Sequence, residues 1–462
     1  MIVNPTLIDA RLLSLFRHIA KVGGRAYFVG GFVRDLFLLG FVSKDVDIEV
    51  YGLDFTSLKA CVSSFGPVNE VGKSFSVLKL VMQGYEIDLS LPRVEQKIGK
   101  GHKGFSVTPN PLLSYQEAAL RRDFTINSMA YDPLADCLLD PYDGQKDIKK
   151  KVLRHVSSAF VEDPLRVYRA MQFAARFEFS IASETIDLCR ECRLEELPKE
   201  RVFEEIKKLF LKSKRPSLGL NYWEALGILP YFPELAAIKG VLQDPEWHPE
   251  GDVWDHTMMV VDELASFDIE DDKRKLILSF AALCHDFGKS TTTSMIDGRW
   301  RSPGHEQAGV RPSRSFLQRI TSETFVIDSV CHLVNCHLRP ALLYQAQQTQ
   351  CVSDAAIRRL AIQVPISDLL LLATADHFGR HTEDAFARDF PAGQWLKSRA
   401  ESLEVKDQAP QPLILGRDLI ALGYVAGPAL GKQLSILFEA QLEGAFSTKQ
   451  AGLDWLKDQK SF

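Results

Sequence analysis

The apolar pattern of this 462-residue chain changes period once, near residue 150, and that change limits the fold more than any other feature. Before it the signals are strands. RAYFVGG (25–31) is a short apolar run ending in glycines, and KDVDIEVYG (44–52) alternates acidic and apolar residues. SVLKLVMQGYEIDLSLP (76–92) reads as a hairpin turning near Gln83-Gly84, and INSMAYDPLADCLLDPYDG (126–144) as a last strand region. After it, EDPLRVYRAMQFAARF (162–177), ETIDLCRECRLEEL (184–197) and KERVFEEIKKLFLKSKRP (199–216) place apolar residues every three or four positions, the helical period. The expectation is an α+β chain with a small mixed sheet near the N-terminus and helices thereafter. The N-terminal stretch MIVNPTLIDARLLSLFRHIAKVGG, broken by Asp9, Arg11, Arg17 and Lys21, reads as an amphipathic helix capped by Gly23-Gly24.

At about 100–200 residues per domain, the length predicts three or four domains. The parts expected are a head (1–145), a helical neck and body (146–250), a histidine-rich helical domain (251–390) and a helical tail (391–462). Residues 93–115, with Gly99, Gly101, Gly104, Pro109 and Pro111, and with Arg93, Lys97, Lys100 and Lys103, are expected to form a mobile basic loop. A formal charge of −5 excludes a bulk cationic nucleic-acid binder but leaves room for a local basic face. The clearest such face is 199–215, with seven Lys/Arg against three Glu. Eight cysteines are too few for a disulfide framework, and Cys189 and Cys192 read as two unrelated thiols. No apolar run is long enough to span a bilayer, so a soluble, cytoplasmic protein with no membrane partner is expected, and no motif specifies an oligomeric state.

The sharpest chemical signal follows the first strand. Gly30-Gly31, Arg34 and Asp35 precede Asp45-Val46-Asp47 by ten residues. On a strand, residues i and i+2 share a face, so the two aspartates project together and need a countercharge; a pair of Mg²⁺ ions is the common one. Such ions activate an attacking oxygen and stabilise a leaving pyrophosphate, while a Gly-Gly turn brings backbone N–H groups close to a triphosphate. A plain turn and a charged strand would explain either piece alone; together they point to nucleotidyl transfer. Asp88, sharing a face with Glu86 on the following hairpin, is the candidate third carboxylate.

GGFVRD, DVDIEV, Arg121-Arg122-Asp123-Phe124-Thr125-Ile126-Asn127 and Glu162-Asp163-Pro164-Leu165-Arg166 resemble, in order and spacing, the successive motifs of class II tRNA nucleotidyltransferases. These are the CCA-adding enzymes and bacterial poly(A) polymerases of the polymerase β superfamily, and the resemblance spans about residues 25–235. It implies a polymerase β-like head with catalytic Asp45 and Asp47 holding Mg²⁺. It also implies nucleotide contacts at Gly30, Gly31, Arg34, Asp35, Arg122, Asp123, Asn127, Glu162, Asp163, Arg166 and Arg169. Asp123 would meet the ribose 2′-hydroxyl. Gln172 stands where relatives often carry Arg.

Cytosine and adenine both present an exocyclic amine donor beside a ring-nitrogen acceptor, and guanine and uracil the reverse. A carboxylate beside a guanidinium therefore accepts the first pair and rejects the second. Asp163 and Arg166, three apart on an expected helix face, suit that task, with Glu162 orienting Arg166. A helix N-terminal turn explains Glu162 to Pro164 equally well, but not Arg166.

Seven of the eleven histidines lie in 253–390. His256, His285-Asp286 and Asp376 form an H…HD…D pattern, with His305 and His337 as further candidates. Imidazole and carboxylate ligands suit Mg²⁺, Mn²⁺, Ni²⁺ or Fe, any of which can activate water for phosphoester hydrolysis. The pattern resembles the HD phosphohydrolase superfamily, and more closely the extra domain of gammaproteobacterial-type tRNA nucleotidyltransferases, which PGHEQAG (303–309) and His337 also match. The implied activities are addition of CMP and AMP from CTP and ATP to a tRNA 3′ end, and removal of 2′,3′-cyclic and 2′-phosphates. Three alternatives stay open: an enzyme adding only the terminal A, a poly(A) polymerase, and an RNA-binding protein with degenerate sites.

Overall fold

The computed structural model describes residues 8–40, 45–71, 77–82, 84–97 and 105–460. The chain divides into two units, one of residues 1–209 and 218–231, the other of 210–217 and 232–462.

The first unit opens with helix α1 (Ala10–Lys21), whose Leu12, Leu15, Phe16 and Ile19 form one buried stripe. Gly23 ends it in the left-handed region at φ +87°, where a side chain would be strained. Then come β1 (Arg25–Val29), α2 (Gly31–Leu39), β2 (Asp45–Tyr51), α3 (Phe55–Val62), β3 (Val68–Val71), β4 (Val77–Met82) and β5 (Tyr85–Ser90). Strands β6 (Arg93–Lys97) and β7 (Phe105–Pro109), helix α4 (Tyr115–Ala119), β8 (Ala130–Asp132) and β9 (Cys137–Leu139) follow. Seven strands make one mixed sheet in the order β3-β4-β5-β2-β1-β8-β9. Only β2 with β5 is parallel among its described pairings, so the sheet is mostly antiparallel as the pattern suggests. The period-2 reading of β2 holds: Val46, Ile48 and Val50 are fully buried while Asp45 and Asp47 alternate with them.

One expectation needs correction. The glycine- and lysine-rich stretch after Leu91 is not a continuous loop; β6 and β7 pair antiparallel, Arg93 opposite Pro109 and Lys97 opposite Phe105. Val94, Val107 and Thr108 supply the β-branched residues that a glycine count overlooks. The tip, with Gly99, Lys100, Gly101, Lys103 and Gly104, lies outside the described residues.

Helices α5 (Gly144–Lys150), α6 (Leu165–Phe177), α7 (Ser183–Glu191) and α8 (Lys199–Lys212) continue the chain. The expected single helix from Glu162 is interrupted: a 3₁₀ turn covers Ser158–Glu162, Asp163 is extended (φ −117°, ψ 95°), and α6 begins only after Pro164. Proline fixes φ without needing an N–H, which suits a helix start.

In the second unit α9 (Val253–Ala265), α10 (Asp272–Cys284), α11 (Thr324–Cys336) and α12 (Ile366–Phe378) pack around a core that includes Leu278, Phe280, Val330, Leu369 and Leu372. Asp252 caps α9 by accepting from the Asp255 N–H at 2.9 Å, and Asp271 caps α10. The unit is not purely helical: Ser294–Ile296 and Arg299–Arg301 form a small hairpin. Its tail, with helices Gly416–Ala421, Pro428–Leu442 and Lys449–Lys460, has its own cluster of Ile414, Leu419, Leu430, Leu437, Phe446 and Leu456. No described helix is long and apolar enough to cross a membrane.

Candidate active sites

Parallel pairing of β2 and β5 puts Asp47 directly opposite Asp88, and Asp45 opposite Glu86. The three aspartates therefore share one face of the sheet. Burial pushes the Asp47 carboxyl up to about 6; Arg122 opposes this, and the charges of Asp45 and Asp88 add to it. Crowded carboxylates of this kind fit a divalent cation. Lys79 lies 3.4 Å from Asp88 and offsets part of its charge.

Gly30 overlooks the aspartates. Its φ of +67° is a left-handed conformation, and a Cβ there would stand 3.2 Å from the Arg122 guanidinium and 3.5 Å from Asp47 Oδ2. The turn thus brings bare backbone beside both the carboxylates and an arginine. Arg122 is held by Glu49, which also accepts from Arg121; the distances are 3.2 and 3.0 Å. Burial would raise the Glu49 carboxyl, but the two guanidiniums outweigh it and hold it below the usual carboxylate range. Sequence reasoning gave Glu49 no role, although it continues the i, i+2 run of Asp45 and Asp47.

Arg34 is buried, donating to Asp35 and, across the fold, to Asn127 Oδ1 at 2.7 Å each. Asn127 in turn donates to Asp123 Oδ1 at 2.9 Å, and Arg169 to Asp123 Oδ2 at 2.8 Å. Arg34, Asn127, Asp123 and Arg169 are thus one continuous network. Because Asp123 also accepts from the Phe124 N–H at 2.8 Å, both its oxygens are engaged within the protein. These bonds fix the orientation of the Asp123 carboxylate.

Asp163 and Arg166 differ from expectation in geometry. Asp163 lies outside α6, and its Oδ1 accepts from the Leu165 N–H at 3.3 Å. Arg166 donates to the carbonyls of Ala159, at 2.8 Å, and Arg121. Those carbonyls, rather than Glu162, orient the guanidinium. Gln172 is buried. The basic stretch at 199–215 is partly neutralised: Lys208 lies 2.8 Å from Glu205, Arg201 3.5 Å from Asp163 and Arg215 3.4 Å from Asp262. Cys189 and Cys192 are buried free thiols.

In the second unit the expected histidines do converge. His256 projects from α9, His285 caps α10, His337 caps α11 and Asp376 lies near the end of α12. Asp286 Oδ2 is 3.2 Å from His285 Nε2 and 3.9 Å from His256 Nε2; Asp286 Oδ1 is 3.2 Å from His305 Nε2 and 4.0 Å from His337 Nε2. Asp376 Oδ1 is 3.1 Å from His256 Nε2. Gly288 lets the segment fold this tightly, since a Cβ there would strike the His305 carbonyl oxygen at 2.0 Å.

The Nδ1 atoms explain why the ring faces agree. His285, His305 and His337 donate Nδ1–H to the carbonyls of Ala282, Ser302 and Val334, and His256 to Glu250 Oε1, all at 2.7–2.8 Å. Each Nε2 then carries a lone pair directed inward. His305 and His337 Nε2 face one another at 3.2 Å, and burial pushes the His337 imidazole down to about 3, so it stays neutral. The Asp286 carboxylate is buried at the middle of these rings, its Oδ2 facing His285 Nε2 and Lys289 Nζ and its Oδ1 facing His305 Nε2. Lone pairs converging on a buried carboxylate fit a divalent metal. Glu250, His248, Lys289 and Arg380 surround this centre and were not anticipated. Lys289 Nζ is 2.7 Å from Asp286, and Arg380 is 3.2 Å from Asp376. Nothing local marks Glu250, in a Pro/Gly loop, as buried.

Comparison with known proteins agrees with both centres. Residues 26–154 match the poly A polymerase head domain, 178–239 a probable RNA- and SrmB-binding site of polymerase A, and 253–386 the HD domain. A multifunctional CCA protein of Xanthomonas campestris pv. campestris is 36% identical over 92% of this chain and 100% of its own length. That of Stenotrophomonas maltophilia is 37% identical over 89% of this chain and 97% of its own. The Bacillus stearothermophilus CCA-adding enzyme in complex with CTP shares the fold at a TM-score of 0.65 and 22% identity, covering 98% of this chain and all of that one. The Thermotoga maritima CCA-adding enzyme complexed with tRNA shares it at 0.58 and 22%, covering 98% of this chain and 97% of that one. Two domain models that span the two side-chain clusters, and full-length relatives above one-third identity, place this chain in the family of multifunctional CCA proteins, tRNA nucleotidyltransferases that carry an HD domain.

Proposed function

We propose that the chain adds CMP and AMP, without a nucleic-acid template, to the 3′ end of tRNA in the cytoplasm, and that its HD domain hydrolyses 2′,3′-cyclic and 2′-phosphate esters. The observation that carries the first activity is the face shared by Asp45, Asp47 and Asp88 beside the bare backbone of Gly30. Mg²⁺ held by these carboxylates would supply an activated 3′-oxygen and charge neutralisation on the triphosphate. The tRNA 3′-hydroxyl attacks the α-phosphate of CTP or ATP, the bond to the β-phosphate breaks, and pyrophosphate leaves. Gly30, Gly31 and Arg122 receive phosphate oxygens. The Arg34–Asn127–Asp123–Arg169 network, with Asp35 on Arg34, holds the nucleotide floor rigid. Asp163 and Arg166 read the base, the guanidinium aimed by the carbonyls of Ala159 and Arg121. Unpaired members of the 199–215 basic face receive RNA phosphates, a contact weakened by salt.

In the HD domain, His256, His285, Asp286 and Asp376 would hold one divalent ion, a transition metal or Mg²⁺. Asp286, His305 and His337 form a second group that would hold such an ion. Such ions supply an activated water and charge stabilisation on the phosphate. The water oxygen bonds to phosphorus, one ribose P–O bond breaks, and the released ribose oxygen takes up a proton. Glu250 fixes the tautomer of His256.

The test incubates a tRNA transcript lacking CCA with CTP, ATP and the pair, and sequences its ends. Completion to CCA with the pair supports the reading. Failure to use CTP would leave an enzyme adding only A, and long adenosine tracts on generic RNA a poly(A) polymerase.

A further inference from the structure

One turn along α9 and α12 from the metal ligands lies a cavity of about 400 Å³ that none of the motifs explains. Its walls include Met259 of α9, Phe378 at the end of α12, and Arg380, His381, Phe386 and Arg388 beyond it. The two helices run side by side here. His256 meets Asp376 at 3.1 Å, and three residues beyond Asp376, Gly379 lies so close to α9 that a Cβ would stand 2.7 Å from Val260 Cγ2. The cavity thus begins about one helical turn, roughly 5 Å, from the ligands.

Its lining is unusual for a structural gap. Phe386 is 69% exposed yet stacks on the His381 ring, with centroids 5.6 Å apart and planes 28° apart. Arg388 adopts φ +56°, a strained left-handed conformation; its guanidinium lies 4.0 Å over the Phe378 ring and is tied to Glu263 at 2.5 Å. The cavity therefore offers aromatic faces beside two guanidiniums held in place by carboxylates, Arg388 by Glu263 and Arg380 by Asp376, with Asp262 also in its wall. Arg380 joins it to the metal centre: one guanidinium nitrogen donates to Asp376, and its buried Nε has no hydrogen-bond partner among the described residues. The His381 N–H donates to Glu250, which holds His256.

We propose that this cavity is the nucleoside subsite of the HD centre. The base stacks on Phe386 and His381, Arg380 Nε donates to the ribose phosphate, and the ester reaches the metal ligands one turn away. The occupant is a ribonucleoside 2′,3′-cyclic phosphate or 2′-phosphate. Stacking faces accept any base, so this subsite should not share the C and A preference of the nucleotidyltransferase site. The inference rests on the phosphohydrolase reading of the HD domain.

The test uses full-length protein and guanosine esters, which the nucleotidyltransferase site should reject. Hydrolysis of guanosine 2′,3′-cyclic phosphate is compared with that of 1-O-methylribose 2′,3′-cyclic phosphate, the same ester without a base. Binding of guanosine 2′-phosphate is measured in parallel by calorimetry. Phe386→Ala should raise KM for the guanosine ester about tenfold with little change in kcat, weaken guanosine 2′-phosphate binding equally, and leave the base-free ester unaffected. Phe386→Trp should restore the wild-type values. Because Phe386 is exposed, nucleotide addition to tRNA should be normal in both variants and so report intact folding. A cyclic dinucleotide ester, GpG ending in a 2′,3′-cyclic phosphate, shows whether an RNA end enters as readily as a free nucleotide; Phe386 dependence in either supports the subsite. Equal KM values for the two cyclic esters in wild type, or Phe386→Ala unchanged in both KM and binding, would overturn it. No hydrolysis of either ester by wild type would instead overturn the phosphohydrolase reading, and the binding arm would still decide the subsite.

Discussion

Glu49 accepts a hydrogen bond from Arg122 at 3.2 Å while fully buried on the same strand face as Asp45 and Asp47. It shares its other oxygen with Arg121 at 3.0 Å. The pair fixes a guanidinium that lies beside both Gly30 and Asp47. Glu49→Ala would leave two guanidiniums without their shared carboxylate. Removing one partner of a buried ion pair costs about 3–5 kcal/mol, so the head's unfolding transition should drop by that order. Urea or calorimetric unfolding checks it, and nucleotide addition should fall with it. A variant as stable and active as wild type would remove Glu49 from the site.

Asp45→Ala and Asp47→Ala should each abolish CMP and AMP transfer, since each removes one carboxylate of the face that would hold Mg²⁺. Hydrolysis of 2′,3′-cyclic esters should persist, because its ligands lie in another unit. Substantial residual transfer in both variants would refute the assignment.

His285→Ala and Asp286→Ala should give the converse. Asp286 touches both histidine groups, so its loss should empty the HD centre of metal by elemental analysis, while His285→Ala should reduce the content. Chelation of wild type should lower Tm, because the facing His305 and His337 lone pairs then lose their shared cation. An unchanged Tm after complete metal removal would contradict the geometry.

For base choice, Arg166→Ala should raise misincorporation of UMP or GMP by one to two decades in relative kcat/KM, the equivalent of about 1–3 kcal/mol for a bidentate contact. Glu162→Ala should leave fidelity unchanged, because carbonyls of Ala159 and Arg121 orient the guanidinium. Single-nucleotide incorporation with all four NTPs distinguishes them. Equal slowing of all four by Arg166→Ala would make the residue structural.

Asp123 carries a pH signature. Burial opposes its charge, but Arg169 and Asn127 prevail and hold its carboxyl below the ordinary value. The ionised form therefore stabilises the fold above the unfolded-state pKa, and that contribution is lost as pH falls through the lower folded value. The Tm gap between wild type and Asp123→Asn should be full above about pH 5 and close below about pH 4. A gap independent of pH would assign the effect to packing.

Local chemistry was legible from the chain alone. Asp45 and Asp47 obey the two-residue period of a strand, and the histidine-aspartate pair follows an apolar helix, so residue order gave each its neighbours and the family its resemblance. Features set by distant segments were not. That Asp88 stands opposite Asp47 depends on β5 pairing parallel to β2; antiparallel pairing would have changed its partner. That Asp123 is engaged by Arg169 and Asn127, that Arg166 rests on carbonyls, and that Glu250 is buried against His256 depend on which backbone and side-chain groups burial leaves seeking partners. Sequence periodicity sets the direction of a side chain relative to its own strand or helix. The groups it meets there are chosen by packing, because a buried polar atom must satisfy its hydrogen bonds with whatever the fold brings within about 3 Å.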